Sequence, residues 1–147
     1  LSSRGINLVS NMVRYHLRPT QMSHGVDMPT PRATYRYFRD LGDAAIDTLY
    51  LNMADYLAAK GPALGFEDWL YHCRLINHIL YQGVGKEADG IERSRLVDGH
   101  MLMEILGISP GAEVGRLLEA ILEAQGSGEI ETAEEAIQLA RHLVVYH

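Results

Sequence analysis

Apolar residues recur along almost the whole chain at intervals of three and four positions, and no stretch alternates apolar and polar residues as a strand does. A chain with this pattern buries its apolar stripes by packing helix against helix. The sequence therefore predicts an all-α bundle of about six or seven helices, the last three forming a C-terminal unit. In the first helix, which should end near residues 17–19, the spacing predicts an inner face of Ile6, Val9, Val13 and His16.

Capping signals mark several helix boundaries. Thr30-Pro31 combines a hydroxyl cap with proline at the first helical position, and this helix should stop at Gly42. Asp43 opens the next helix, with a predicted inner face of Ile46, Leu49, Tyr50, Met53 and Leu57. A further helix over 66–82 should turn these residues inward: Phe66, Trp69, Leu70, Cys73, Ile76 and Leu80.

A segment rich in glycine and charge, 83–95, interrupts the helical pattern and is typical of a linker. We therefore expect three parts: a helical domain over 1–84, a linker over 85–95 and a small helical tail unit over 96–147. In the tail unit, helices are predicted over 99–106, after Ser109-Pro110, and after a capping box formed by Thr132 and Glu135. The predicted inner residues of the last two are Val114, Leu117, Leu118, Ile121, Leu122, Ala136, Ile137, Ala140, Leu143 and Val144.

The 147 residues suffice to bury a core without a metal or a disulfide. Cys73 is the single cysteine and lies in an apolar helical run, so a buried, reduced thiol is expected. No stretch of about 18 apolar residues is available for a membrane span. The sequence starts with neither methionine nor a signal peptide, and we expect a piece of a larger cytoplasmic protein.

Charge is distributed unevenly. Residues 1–40 carry six arginines against two aspartates, a net charge of +4, whereas residues 96–147 carry two arginines against nine acidic side chains, a net charge of −7. Arg32, Arg36 and Arg39 fall on one side of a helix, and Arg14 and Arg18 precede them. Arginine clusters interleaved with aromatic residues suit phosphates and unpaired bases, but the same arginines would also fit a solvated face or internal ion pairs.

A second candidate anion site is the turn over 106–115. Glycines flank a helix start there, and the free backbone amides near Gly111 suit a phosphate. A plain capped helix explains the same residues.

The sequence lacks the motifs that usually indicate a catalytic or metal site. It contains no nucleophile-elbow, phosphate-loop or paired-cysteine motif, and no two histidines stand four apart. His72 and His78 are six apart and point to different sides of their helix, so they do not clamp one ion. We predict no catalytic residue and no metal ligand set.

Several stretches resemble bacterial CCA-adding tRNA nucleotidyltransferases and their poly(A) polymerase relatives. Residues 13–19, 32–42 and 49–55 resemble the helices that end the HD domain of that family, and 96–104, 111–115 and 128–130 resemble its C-terminal RNA-binding unit. Met101 stands where relatives often have aspartate. The family's β-sheet catalytic domain and the His-Asp dipeptide that names the HD domain are absent from this sequence.

The resemblance implies a non-catalytic module that positions tRNA or another structured RNA for a missing N-terminal catalytic domain, which would use Mg²⁺ and nucleoside triphosphates. Contacts to RNA would come from Arg14, Arg18, Arg32, Arg36, Arg39 and the amides near Gly111. One alternative is the helical half of an HD-type metal-dependent phosphohydrolase, with His16 and Asp55 as ligands in the complete protein. The other is a plain helical scaffold whose arginines pair within the protein.

Overall fold

The computed structural model describes residues 2–23, 27–88 and 95–145, and these residues form helices without any strand. Seven helices have two turns or more and one has a single turn, so the predicted all-α fold is confirmed. Their bounds are α1 Ser3–Tyr15, α2 Arg18–Gln21, α3 Pro31–Leu41, α4 Ala45–Lys60, α5 Phe66–Ala88, α6 Gly99–Leu106, α7 Ala112–Ser127 and α8 Ala133–Val145. None of these helices combines the length and the apolar composition that crossing a bilayer requires.

The helices form two compact units, Leu1–Ile91 and Glu92–His147. The predicted linker is only partly open to comparison, because residues 89–94 lie outside the described part of the chain. Where the chain is described, the expected start of the break at Gly83 is wrong: α5 continues through Gly83 to Ala88.

The core of the first unit forms where α3, α4 and α5 meet. Its buried members are Tyr37, Leu41, Ala45, Leu49, Leu75, Ile76 and Ile79. Tyr37 is fully buried, and its hydroxyl donates a hydrogen bond to the carbonyl oxygen of Ala45 at 2.7 Å. Because burial disfavours the charged phenolate, it raises the pKa of Tyr37.

The predicted inner face of α1 is wrong. Ile6, Val9 and Val13 are 51%, 52% and 61% exposed, whereas Leu8 and Tyr15 are partly covered. Apolar residues occupy more of the surface of this helix than one contact face needs. The rest of the unit partly covers only the edge that carries the longer side chains, such as Leu8 and Tyr15. Apolar spacing alone does not choose between two edges of such an arc.

The helices α4 and α5 also depart from their predicted inner faces. Ile46, Tyr50 and Leu57 are at least 42% exposed, and Phe66 at the start of α5 is 73% exposed. The contact face of α4 is made instead of small and polar residues, Ala45, Thr48 and Asn52, together with Leu49. Small residues let neighbouring helices approach closely, and the polar members are buried because their hydrogen bonds are satisfied.

The second unit packs α6, α7 and α8 around one apolar core, much as predicted. The buried members are Val97, Leu102, Leu117, Ile121, Ala124, Ile130, Ala136 and Ala140. The capping box is confirmed: the Thr132 hydroxyl accepts from the Glu135 amide at 3.2 Å, and the Glu135 carboxylate accepts from the Thr132 amide at 3.0 Å. Helix α7 begins at Ala112, two residues later than the Ser109-Pro110 signal predicts, and Gly111 is its N-cap.

Gly83 permits a close contact inside the first unit. A Cβ atom built at this position would overlap the ring of Phe38, which packs against the core from α3. The Phe38 ring is itself held edge-on to Tyr37, with 5.4 Å between ring centroids. A glycine that looks like a helix breaker in the sequence is therefore a packing residue.

We predict that Gly83→Ala destabilises the first unit by about 1–3 kcal/mol, the usual cost of overpacking, although alanine favours helix formation by about 1 kcal/mol. Gly115→Ala in α7 is the matched control, because no heavy atom lies within 4 Å of its Cβ position. The control should be neutral or slightly stabilising. Urea unfolding followed by circular dichroism measures both, and a stabilised Gly83 variant would contradict the contact.

His72 is a buried polar residue of the first unit. It is 2% exposed, stacks on Tyr56 with ring centroids 4.0 Å apart, and has Trp69 on a neighbouring turn at 6.1 Å. Its Nε2 atom is buried without a hydrogen-bond partner among the described residues. Burial lowers the pKa of His72, because removal from water disfavours the charged imidazolium.

This burial predicts a pH dependence of stability. The unfolded state takes up a proton near pH 6.5, whereas folded His72 does so only at lower pH. The stability that comes from keeping His72 uncharged is therefore fully present above about pH 6.5. It is lost as the pH falls from there through the lower pKa of the folded state. The free energy of unfolding should decrease between pH 7.5 and pH 5, and His72→Phe, which keeps a ring on Tyr56, should flatten that decrease. An unchanged slope in the variant would assign the pH dependence to another group.

Candidate nucleic-acid interface

The buried amide of Asn52 fixes the junction between α1 and α2. Asn52 projects from α4, is 1% exposed, and donates from Nδ2 to the backbone carbonyl oxygen of His16 at 2.8 Å and to the Thr20 hydroxyl at 3.0 Å. His16 is the C-terminal cap of α1, where carbonyl groups lack helical partners. One amide therefore satisfies the end of α1 and ties α2 to the same point.

A pocket of about 440 Å³ opens at this junction, lined by Arg14, Tyr15, His16, Leu17, Arg18 and Gln21. The guanidinium carbons of Arg14 and Arg18 lie 5.4 Å and 5.7 Å from the centroid of the Tyr15 ring. Cations at this distance are attracted by the negative ring face, so one tyrosine gathers two positive charges. Arg14 has no ion pair among the described residues.

Asp40 places its carboxylate between two arginines. Its Oδ2 atom accepts from Arg18 at 2.9 Å and its Oδ1 atom accepts from Arg39 at 2.9 Å. Burial alone would raise the pKa of Asp40, but the hydrogen bonds and charges of the two arginines outweigh it and lower that pKa. One negative charge against two positive ones leaves this side of the unit basic.

The arginine stripe of α3 lies on the side of the helix that faces away from the core. Thr34, Tyr37 and Leu41 are the buried residues of α3. Arg32, Arg36 and Arg39 occupy the opposite side of the helix. Arg36 and Arg39 are exposed there, whereas Arg32 is half-buried. Through Asp40 this stripe adjoins the α1–α2 junction, and we call Arg14, Arg18, Arg32, Arg36 and Arg39 the basic face.

The remaining predicted contact, Gly111, belongs to the second unit. It caps α7 without any side-chain hydrogen bond to the first amides of the helix. Glu113 in the first turn binds Arg116 through two hydrogen bonds of 2.6 and 3.0 Å. The acidic side chain in the first turn of α7 is thus paired with Arg116.

Metal ligands do not cluster in the part of the chain that the structure describes. No group of three or more His, Cys, Asp or Glu side chains there could hold an ion. Of the two residues considered as HD-type ligands, Asp55 is half-buried on α4. His16 places its Nδ1 atom 2.7 Å from the carbonyl oxygen of Val13.

Comparison with known proteins gives two relatives. The chain is 35% identical over 132 residues to the CC-adding tRNA nucleotidyltransferase of Thermus thermophilus, and 30% identical over 115 residues to the A-adding tRNA nucleotidyltransferase of Deinococcus radiodurans. The chain is related to tRNA nucleotidyltransferases. The predicted resemblance to this family is thereby confirmed.

The two alignments include 89% and 78% of the chain but only 26% of each relative, so the chain spans about a quarter of the length of the curated relatives it matches. No protein-family model and no solved structure matches the chain at a significant level.

Sequence reasoning found the arginines but missed the residues that arrange them. Asn52 interrupts an apolar run on α4, and a polar side chain between Leu49 and Met53 was the available signal. The spacing does not indicate that two arginines share the carboxylate of Asp40, because Arg18 and Arg39 lie on different helices. For Tyr15 the sequence offers only the family resemblance of residues 13–19.

We predict that Asn52→Ala destabilises the first unit by about 1–3 kcal/mol, since it removes a buried amide and leaves the part-buried carbonyl group of His16 without its donor. Asn77→Ala is the matched control, because Asn77 is exposed on α5 and should change stability by about 0.5 kcal/mol or less. Denaturant unfolding of both variants provides the measurement. Equal effects would mean that the amide of Asn52 does not hold the junction.

Proposed function

We propose that this chain is a non-catalytic module of a tRNA nucleotidyltransferase that holds a structured RNA, tRNA foremost, while a separate catalytic domain extends the RNA 3′ end. The observation that carries the proposal is the basic face on the first unit of a chain related to two tRNA nucleotidyltransferases. Arginine suits this task because its planar, permanently charged group binds phosphate oxygens through two hydrogen bonds.

The mode of binding we propose is contact with the RNA backbone rather than reading of bases. The exposed members of the basic face are Arg14 on α1 and Arg36 and Arg39 on α3. Phosphate contacts from such charged groups set register and orientation without sequence selection. Such a module suits an enzyme family whose substrates share a shape. The Mg²⁺ ions and nucleoside triphosphates would belong to the catalytic domain.

The proposal predicts a steep salt dependence that the α3 stripe controls. Each phosphate contact contributes a log–log slope of about −0.7 to −0.9, so the Arg32→Ala, Arg36→Ala, Arg39→Ala triple variant should weaken tRNA binding and flatten the slope by roughly two to three units. Fluorescence anisotropy of labelled tRNA at several salt concentrations measures both quantities. Circular dichroism checks that the variant is folded.

The matched control replaces Arg74 and Arg141, two exposed arginines outside the basic face. These changes should alter affinity much less than the triple variant does. Identical slopes for the wild type and the triple variant would make the α3 arginines structural, and the scaffold alternative would then account for them.

A further inference from the structure

The pocket at the α1–α2 junction has features that a plain phosphate-binding surface does not need. At about 440 Å³ it falls within the range of small-molecule sites, roughly 300–1,000 Å³, so it has room for a sugar beside a phosphate. Its polar lining combines two arginines with an imidazole and an amide, from His16 and Gln21.

Hydrogen bonding sets the chemistry of the imidazole. Nδ1 of His16 lies 2.7 Å from the Val13 carbonyl oxygen, which only accepts hydrogen bonds. Nδ1 is therefore the donor in this contact, and in the tautomer that the contact selects Nε2 carries the lone pair. In that tautomer Nε2 can accept a hydrogen bond from a hydroxyl group.

The two arginines of the pocket differ in freedom. Arg18 is fixed by Asp40 at 2.9 Å and lies over both Tyr15 and Tyr37, whereas Arg14 contacts only the Tyr15 ring among the described residues. Arg18 is thus a preorganised positive charge, and Arg14 has its hydrogen-bond donors available for an anion. Asn52 holds the backbone between them.

We propose that this pocket binds one ribose-phosphate unit of RNA, with Arg14 and Arg18 on the phosphate and Nε2 of His16 accepting a hydrogen bond from the ribose 2′-hydroxyl. DNA lacks that hydroxyl, so the pocket distinguishes RNA from DNA. The inference deepens the proposed function: it gives His16 a role as an RNA-specificity residue and treats Arg14 and Arg18 as one site.

The test titrates the ¹⁵N-labelled chain with the dinucleotide ApA and with its deoxy counterpart, each carrying one phosphodiester, at constant ionic strength. Amide signals of residues 14–21 should shift, and ApA should bind about two- to tenfold more tightly, the effect of one hydrogen bond. Arg14→Ala should weaken both ligands by about tenfold or more, and the matched Arg74→Ala neither.

Two substitutions isolate the imidazole. His16→Asn keeps a donor near the position of Nδ1 but has no acceptor at that of Nε2, so the preference for ApA should vanish. His16→Gln places an amide oxygen near the position of Nε2 and should retain the preference. The amide spectrum of each variant without ligand shows whether the junction is intact.

Several results would overturn the inference. They are equal binding of the two dinucleotides, a preference that survives in His16→Asn, or inorganic phosphate binding as tightly as ApA, which would make this a site for free phosphate. Unshifted signals of residues 14–21, with salt-dependent tRNA binding intact, would refute the pocket and leave the proposed function standing. Shifts by ApA without any tRNA binding would refute the proposed function and support the pocket.

Discussion

The amide of Asn52 is the interaction on which the basic side of the first unit depends. A helix end leaves carbonyl groups without partners, and a buried one must find a donor elsewhere. Asn52 supplies that donor to His16 and binds Thr20 with its other hydrogen, so α1 stops and α2 starts at a point fixed by α4. The pocket side chains project from the few residues whose backbone is held in this way.

The carboxylate of Asp40 fixes arginine side chains much as the amide of Asn52 fixes the backbone. Asp40 neutralises one of its two arginine partners, yet it also holds both in place. Partly exposed ion pairs contribute only about 0.2–1 kcal/mol each, so stability is a minor part of what Asp40 provides. Its larger effect is entropic, because a guanidinium group that is already fixed loses less freedom when an anion binds to it.

The sequence predicts the helices of this protein better than it predicts which sides of them touch. Capping signals at Thr30 and Thr132 marked real helix starts, because they depend on local hydrogen bonds that a sequence displays directly. The inner faces of α1 and α4 differ from the predicted ones for different reasons. On α1 the partly covered edge is the one with Leu8 and Tyr15, and on α4 the contact side consists of small residues, Leu49 and a buried amide. In the site, the arginines were predictable from charge, but their convergence on Tyr15 and Asp40 required the arrangement of three separate elements.

The contact between Gly83 and Phe38 carries a consequence for the evolution of related sequences. The missing side chain of one residue and the ring of the other fill the same volume, although the two positions are 45 residues apart. Homologues that acquire a side chain at position 83 should therefore carry a smaller residue at position 38, and those that keep the ring should keep the glycine. Such paired substitution would make these two positions a marker of how α3 and α5 are registered throughout the family.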